Sequence, residues 1–112
     1  MITVEVFTKN NLYIGLKSKG HAYFSDKEDI VCAGVSTLTQ TLYFYIKSLG
    51  ISDKDMCVKQ NKGYLYLRLF KHIEKQSVQS GFSYMITGLK LLEADYSKYI
   101  KLKITEVRDD KV

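Results

Sequence analysis

The longest uncharged stretch of the chain, residues 30–46, limits the available folds more than any other feature. Its apolar residues recur every three or four positions, and this spacing predicts a helix with one core-facing stripe. The stretch also contains Ser36, Thr39 and Gln40. A bilayer span needs about 20 mostly apolar residues. A buried helix therefore explains the run better than a membrane span, and no membrane partner is expected.

The ends of this helix are marked by two residues. Asp29 is the expected N-cap, because a short carboxylate accepts hydrogen bonds from the exposed amides of the first turn. Gly50 is the expected terminator, since glycine commonly follows the last helical residue. Cys32 then falls in the first turn, beside the apolar stripe, and Ser36 lies on the same side one turn later.

Two strands are predicted ahead of the helix. Residues 2–8 and 12–19 alternate between apolar and polar side chains. The asparagines at 10–11 tolerate the positive φ angles of a tight turn, so the two segments predict a hairpin. Its second strand is expected to face the core with Leu12, Ile14 and Leu16.

The remaining segments repeat the pattern. Residues 56–60 and 64–70 predict a second hairpin, residues 73–96 a second helix and residues 100–105 a last strand. Residues 1–112 are expected to form a single domain. Two striped helices need a sheet to cover, so we expect an α+β fold of order ββαββαβ. It would be a two-layer sandwich with both helices on one face of a mixed sheet.

The sheet face away from the helices is expected to be aromatic. Its side chains would be Phe7, Tyr13, Tyr64, Tyr66 and Phe70. Because large exposed apolar patches commonly mark interaction sites, this face is expected to have a partner, with a second copy of the chain as one candidate.

Composition bears on location and partners. Residues 1–6 lack a signal-peptide pattern, and two cysteines without a secretory signal indicate a cytoplasmic protein. The net charge of +5 favours an anionic partner such as RNA, but the basic residues are scattered and only two of the 17 are arginine. Direct nucleic-acid binding is therefore not expected. No zinc-site spacing is present, so no metal or other cofactor is expected.

One histidine and one cysteine, His21 and Cys32, lie eleven residues apart around the predicted helix start. A helix N-terminus and a nearby imidazolium both favour the thiolate, which is the nucleophilic form of cysteine. His21 is suited to take the thiol proton and later return it to a leaving amine. Gly20 permits a sharp turn without a side chain in the cleft.

Each of these residues also has a purely structural explanation. A free cysteine is commonly a small buried apolar residue, and His21 alone would be an ordinary loop histidine. Asp29 would serve as the helix cap and only secondarily orient His21, while Ser36 would only satisfy the helix backbone. Cys57, within a strand, and His72, at a strand–helix junction, have no neighbours that indicate chemistry.

A resemblance to a known family rests on two segments, residues 20–22 (Gly-His-Ala) and 29–36 (Asp-Ile-Val-Cys-Ala-Gly-Val-Ser). Together they resemble the ribosomal-processing cysteine protease family, and the similarity extends over essentially the whole chain. It implies a small cytoplasmic endopeptidase that acts as a homodimer and removes an N-terminal extension from a large-subunit ribosomal protein. It also implies that His21 and Cys32 form the catalytic dyad.

The residues themselves leave two non-enzymatic alternatives open. A ribosome- or RNA-binding module would use the positive charge and the tyrosine-rich strands, since aromatic rings stack on bases. It would give His21 and Cys32 no role. The second alternative is a pure dimerisation scaffold. If the chain is a protease, residues 22–28 are expected to form a lid that closes over an extended peptide.

Overall fold

The computed structural model describes residues 1–20 and 26–108, with residues 26–29 described by their backbone alone. It contains five strands, two α-helices and a short 3-10 helix. The strands are β1 (Ile2–Lys9), β2 (Leu12–Lys19), β3 (Met56–Asn61), β4 (Tyr64–Leu69) and β5 (Ile100–Glu106), and the helices are α1 (Asp26–Ser48) and α2 (Gln76–Asp95). The α+β class and the order ββαββαβ are confirmed.

The five strands form one mixed sheet in the order β3-β4-β2-β1-β5. Both predicted hairpins are present, since β1 pairs with β2 and β3 with β4 in antiparallel fashion. The edge strand β5 runs parallel to β1. Asn10 and Asn11 have φ angles of 53° and 65°, as the turn signal between the first two strands indicates.

Both helices pack their apolar stripes on the same face of the sheet. The largest buried contributions come from Val31, Val35, Leu42 and Ile46 of α1 and from Val78, Phe82, Met85 and Leu89 of α2. They recur at the spacing of three or four residues that predicts one core-facing stripe in each helix. Among the described residues, no helix is long and apolar enough to cross a membrane.

Two glycines of α2 allow the helices to approach closely. A Cβ atom added at Gly81 would lie 2.6 Å from the ring of Tyr45, and one added at Gly88 would lie 2.7 Å from the side chain of Leu38. Real side-chain carbons do not come this close. The glycines therefore weaken the intrinsic helix propensity of α2 but create the contact surface for α1.

An irregularity in β2 is not visible in the alternation pattern. Phe7 pairs with Gly15 but Thr8 pairs with Tyr13, which leaves Ile14 as the extra residue of a β-bulge. Because side chains alternate with a period of two, one extra residue moves the residues beyond it to the other face.

The bulge corrects the faces predicted for this hairpin. Tyr13 lies on the helical side, where its ring stacks on Phe82 with the ring centroids 5.8 Å apart. Ile14 lies on the opposite side, in a second buried cluster with Phe7 and Val107. The prediction that Ile14 faces the main core is therefore wrong, and so is the prediction that Tyr13 lies on the open face. Phe7 is on the expected face but is buried within the chain.

The helices begin at other residues than predicted. α1 begins at Asp26, so Asp29 is not its N-cap, and Cys32 is the seventh helical residue counting from 26. The acidic segment before Asp29 contains no glycine or proline that would stop a helix, and acidic residues favour a helix start.

α2 begins at Gln76, after a turn in which His72 has a φ of 65°. Gly50, with a φ of 88°, follows α1 as predicted.

Candidate active site

Cys32 lines an open cleft between residues 32–40 of α1 and the turn of the β3–β4 hairpin. The cleft has a volume of about 480 Å³. One wall is α1, and the other is formed by residues 60–64 of the hairpin. Ile2, Ser18 and Leu65 lie at the floor, where the ends of β1, β2 and β4 meet.

The buried stripe of α1 fixes the position of Cys32. Val31 is fully buried and Val35 is 3% exposed, so the helix cannot rotate about its axis without exposing both. Cys32 lies at the edge of this stripe, where it packs partly against the core and remains partly accessible as a free thiol. Ser36 and Thr39 follow on the same side of the helix and also line the cleft.

Gly20 closes the cleft at the end of β2. Its φ is 130°, and a Cβ atom there would lie 2.5 Å from the carbonyl oxygen of Met1. Its N–H donates a hydrogen bond of 3.0 Å to the carbonyl of Gly63, which ties the hairpin turn to the end of β2. Only glycine fits this position, in agreement with the conformational freedom expected of Gly20.

The structure brings together three of the five predicted site residues. Gly20, Cys32 and Ser36 line the same cleft. Asp29 lies in α1 one turn before Cys32, and its side chain is outside the described part of the chain. His21 lies outside the described residues, as do residues 22–25 of the expected lid, while residues 26–28 belong to α1 and not to a loop.

Sequence reasoning does not single out the second wall of the cleft. Residues 60–64 are far from Cys32 in sequence. They lie near it because the start of β4 pairs with the end of β2, Leu65 with Ser18 and Tyr64 with Lys19. The glycine after Lys62 predicts a hairpin turn. It does not predict which element the turn faces, since that depends on the pairing of β4 with β2.

The lining of the cleft suits an uncharged extended chain. Its polar side chains are hydroxyls and amides, and Lys62 is the one charged residue among the described residues that line it. Hydroxyl and amide groups pair with the main-chain N–H and C=O groups of a peptide. A thiol in such a cleft is placed to attack a peptide carbonyl. Within residues 1–20 and 26–108, no three His, Cys, Asp or Glu side chains are grouped so as to hold a metal ion.

Solved structures with the same fold include proteins from two bacteria. The chain is similar to SMU.848 from Streptococcus mutans, with 22% identity, a TM-score of 0.78 and 96% of each chain covered. It is also similar to the essential ribosomal processing protease Prp from S. aureus in complex with a substrate peptide, with 21% identity, a TM-score of 0.77 and coverage of 93% of this chain and 99% of that one. The same S. aureus protease with a covalently linked product peptide gives 22% identity, a TM-score of 0.75 and the same coverage.

These likenesses establish the fold. A search of curated proteins gives no match. The family model of cysteine protease Prp matches residues 1–101, which include Gly20, His21 and Cys32. This match decides for an enzyme and against the non-enzymatic binding module and the dimerisation scaffold. The chain therefore belongs to the cysteine protease Prp family and is a peptide-bond hydrolase.

Proposed function

We propose that this protease removes the N-terminal extension of a large-subunit ribosomal protein, with Cys32 as the nucleophile and His21 as the general base. The observation that carries the proposal is the position of Cys32 in a cleft of peptide-binding character. The other cysteine, Cys57, pairs with Arg68 in the sheet and lies away from this cleft. The substrate is supported by the resemblance of residues 20–22 and 29–36 to ribosomal-processing proteases.

The proposed reaction uses side chains alone and needs no cofactor. His21 takes the proton from the Cys32 thiol, and the thiolate attacks the carbonyl carbon of the scissile bond. The C–N bond breaks as His21 gives the proton to the leaving amine, which departs as the new N-terminus of the ribosomal protein. A water molecule, deprotonated by His21, then hydrolyses the thioester and releases the extension with a free carboxylate.

Three further residues support this chemistry in the proposal. Gly20 directly precedes His21 and lines the same cleft as Cys32, so the chain leads from the cleft wall to the proposed base. Ser36 lies one turn beyond Cys32 and offers a hydroxyl to the bound peptide. Asp29, one turn before Cys32 in α1, is assigned the orientation of His21.

The whole of residues 1–112 is proposed to act as one protease domain, in the cytoplasm and as a homodimer. The outer surface of the two helices, termed the helix face, carries Phe44, Tyr84 and Leu91 with 62%, 82% and 67% of their area exposed. Residues 30–46 and 76–89 contain no charge. A two-fold interface brings one surface against its own copy, so an uncharged surface avoids like-charge repulsion.

The sheet face away from the helices is less suited to such a dimer than the predicted aromatic surface would be. Phe7 is buried within the chain, and Tyr13 lies on the helical side. Tyr64, Tyr66 and Phe70 remain there among lysines, and two-fold contact would place those lysines against their own copies. Like charges directly opposite one another destabilise a contact.

The two cysteines provide a matched test of the proposed function. Both are free and partly exposed thiols. Wild type and Cys57→Ala should remove the extension from the extended ribosomal protein at similar rates, and Cys32→Ala should not. Intact-mass spectrometry resolves the products. Cleavage by Cys32→Ala would disprove the nucleophile. Cleavage of unrelated peptides by an enzyme that leaves the extension intact would disprove only the substrate.

A further inference from the structure

Five lysines that are scattered along the sequence meet on the sheet face opposite the helices. They alternate with core-facing residues of their strands and therefore point away from the core. They are Lys17 and Lys19 of β2, Lys59 of β3, and Lys101 and Lys103 of β5. Four of them are exposed, and the side chain of Lys17 is 40% exposed. Together with Tyr64 and Tyr66 they are termed the basic sheet face.

The strand register arranges this face in two rows. The first row is Lys59, Tyr66, Lys17, Glu5 and Lys103, and the second is Asn61, Tyr64, Lys19, Thr3 and Lys101. Neighbouring strands lie about 4.8 Å apart, so each tyrosine ring has a lysine on the adjacent strand. In the first row the ring of Tyr66 lies between two lysines.

Within the two rows, little negative charge compensates these lysines. Glu5 is the one acidic residue in the two rows, and its carboxylate already accepts a 2.6 Å hydrogen bond from the Thr105 hydroxyl. The ammonium of Lys17 is 3.9 Å from the same carboxylate. Exposed charges about one Debye length apart, roughly 8 Å at physiological salt, repel each other weakly. Repulsion among the lysines therefore destabilises the fold little, whereas a polyanion that contacts several of them gains binding free energy from each contact.

We infer that the basic sheet face is a docking surface for RNA, which binds through its phosphates to the lysines and through its bases to the two tyrosines. Aromatic rings on an open sheet beside cationic side chains are the means by which single-stranded nucleic acid is held without sequence readout. An acidic protein surface would engage the lysines and leave the rings of Tyr64 and Tyr66 without a matching group.

Two further observations agree with RNA as the occupant. A tyrosine hydroxyl is ordinarily neutral near physiological pH and does not repel phosphate, and burial raises the pKa of Tyr66 further. The cations of the two rows are all lysines, which act as point charges and lack the planar fork that reads bases. The binding is therefore independent of base sequence. Asn61 and Tyr64 also belong to the hairpin wall of the cleft, so RNA on this face would border the cleft that Cys32 lines.

The inference is independent of the proposed ribosomal substrate, and a salt series tests it. The probe is a short fluorescein-labelled oligouridine, followed by anisotropy over a range of KCl concentrations. Each lysine that neutralises a phosphate contributes about 0.7 to the slope of log Kd against log salt, so five give about 3.5. A slope near zero, or no binding at low salt, would overturn the inference.

Two matched double variants distinguish the effect of where the charges lie from the effect of the protein's net charge. Lys59→Glu/Lys103→Glu reverses both ends of the first row, and Lys54→Glu/Lys90→Glu makes the same change at exposed lysines outside the two rows. The first should weaken binding by about tenfold or more, and the second should change it far less. An equal loss in both would show that net charge alone is responsible and would overturn the docking surface.

Two controls complete the test. Tyr66→Leu should weaken binding about fivefold or more through lost stacking, and an unchanged Kd would overturn the role of the rings. Competition by polyglutamate as strong as that by unlabelled oligouridine would assign the face to an acidic protein instead. If Lys59→Glu/Lys103→Glu fails to fold by circular dichroism, Lys59→Gln/Lys103→Gln replaces it, and its salt slope should fall by about 1.4.

Discussion

The side-chain amide of Gln79 supplies both hydrogen bonds to the main chain of Tyr13. Its Oε1 accepts from the Tyr13 N–H at 2.8 Å, and its Nε2 donates to the Tyr13 carbonyl at 2.8 Å. The same Nε2 donates to the carbonyl of Ile73 at 2.8 Å. Strand β4 pairs with β2 only from Gly15 onward, so a helical side chain takes the place of a strand at Tyr13.

Replacing Gln79 with leucine should therefore destabilise the fold. The variant leaves partly buried N–H and C=O groups without a partner, and a loss of about 2 kcal/mol in the free energy of unfolding is expected. Denaturant unfolding measures it. The matched control is Gln76→Leu, because Gln76 is exposed and its side chain donates to the nearby Ser80 hydroxyl. Similar stability losses in the two variants would show that Gln79 does not replace a strand partner.

The same region shows where sequence reasoning ends. The turn at residues 10–11 and the stripes of both helices follow from local spacing and residue type. The bulge at Ile14 does not, because it is stabilised by Gln79, a residue distant in sequence. Alternation alone therefore places Tyr13 and Ile14 on the wrong faces.

The candidate site, like the fold, is only partly predictable from the sequence. A histidine, a cysteine and a glycine form a recognisable motif because they lie close together in sequence, and two of them, Gly20 and Cys32, line the cleft. The wall formed by residues 60–64 depends on the pairing of β4 with β2, which no local pattern encodes. The clustering of Lys17, Lys59 and Lys103 likewise arises only when the strand register is known. Charges that are scattered in the sequence then form one surface.

Gly20 should tolerate no side chain. Gly20→Ala introduces a Cβ atom 2.5 Å from the Met1 carbonyl oxygen at a φ of 130°, and both effects oppose folding. Gly50→Ala is the matched control, because Gly50 also has a positive φ, of 88°, but open space around its Cβ position. A left-handed conformation alone costs alanine about 1–2 kcal/mol. Thermal unfolding should show a clearly larger loss for Gly20→Ala, and equal losses would contradict the close contact with β1.

The proposed base is tested by comparing the two histidines. His21→Ala should lower kcat/KM for cleavage of the extended ribosomal protein by roughly 10²–10⁴-fold, which is the usual contribution of a positioned acid–base group. His72→Asn is the control, because asparagine tolerates the φ of 65° at that position. His72 lies 3.3 Å from Asp55 and does not line the cleft. Wild-type cleavage by His21→Ala would remove His21 from the mechanism.

The proposed dimer is tested by placing charge on each face in turn. Tyr84→Glu/Leu91→Glu puts two carboxylates on the helix face, where both residues lie on one side of α2 and are mostly exposed. Sedimentation at micromolar concentration should show a wild-type dimer, a monomer for this variant, and a dimer for Tyr64→Glu/Tyr66→Glu. A wild-type monomer would reject the dimer. Dissociation of only the Tyr64→Glu/Tyr66→Glu variant would move the interface to the basic sheet face. Because a dimer through that face would cover the lysines, that result would also predict that RNA and the second protomer compete for the same surface.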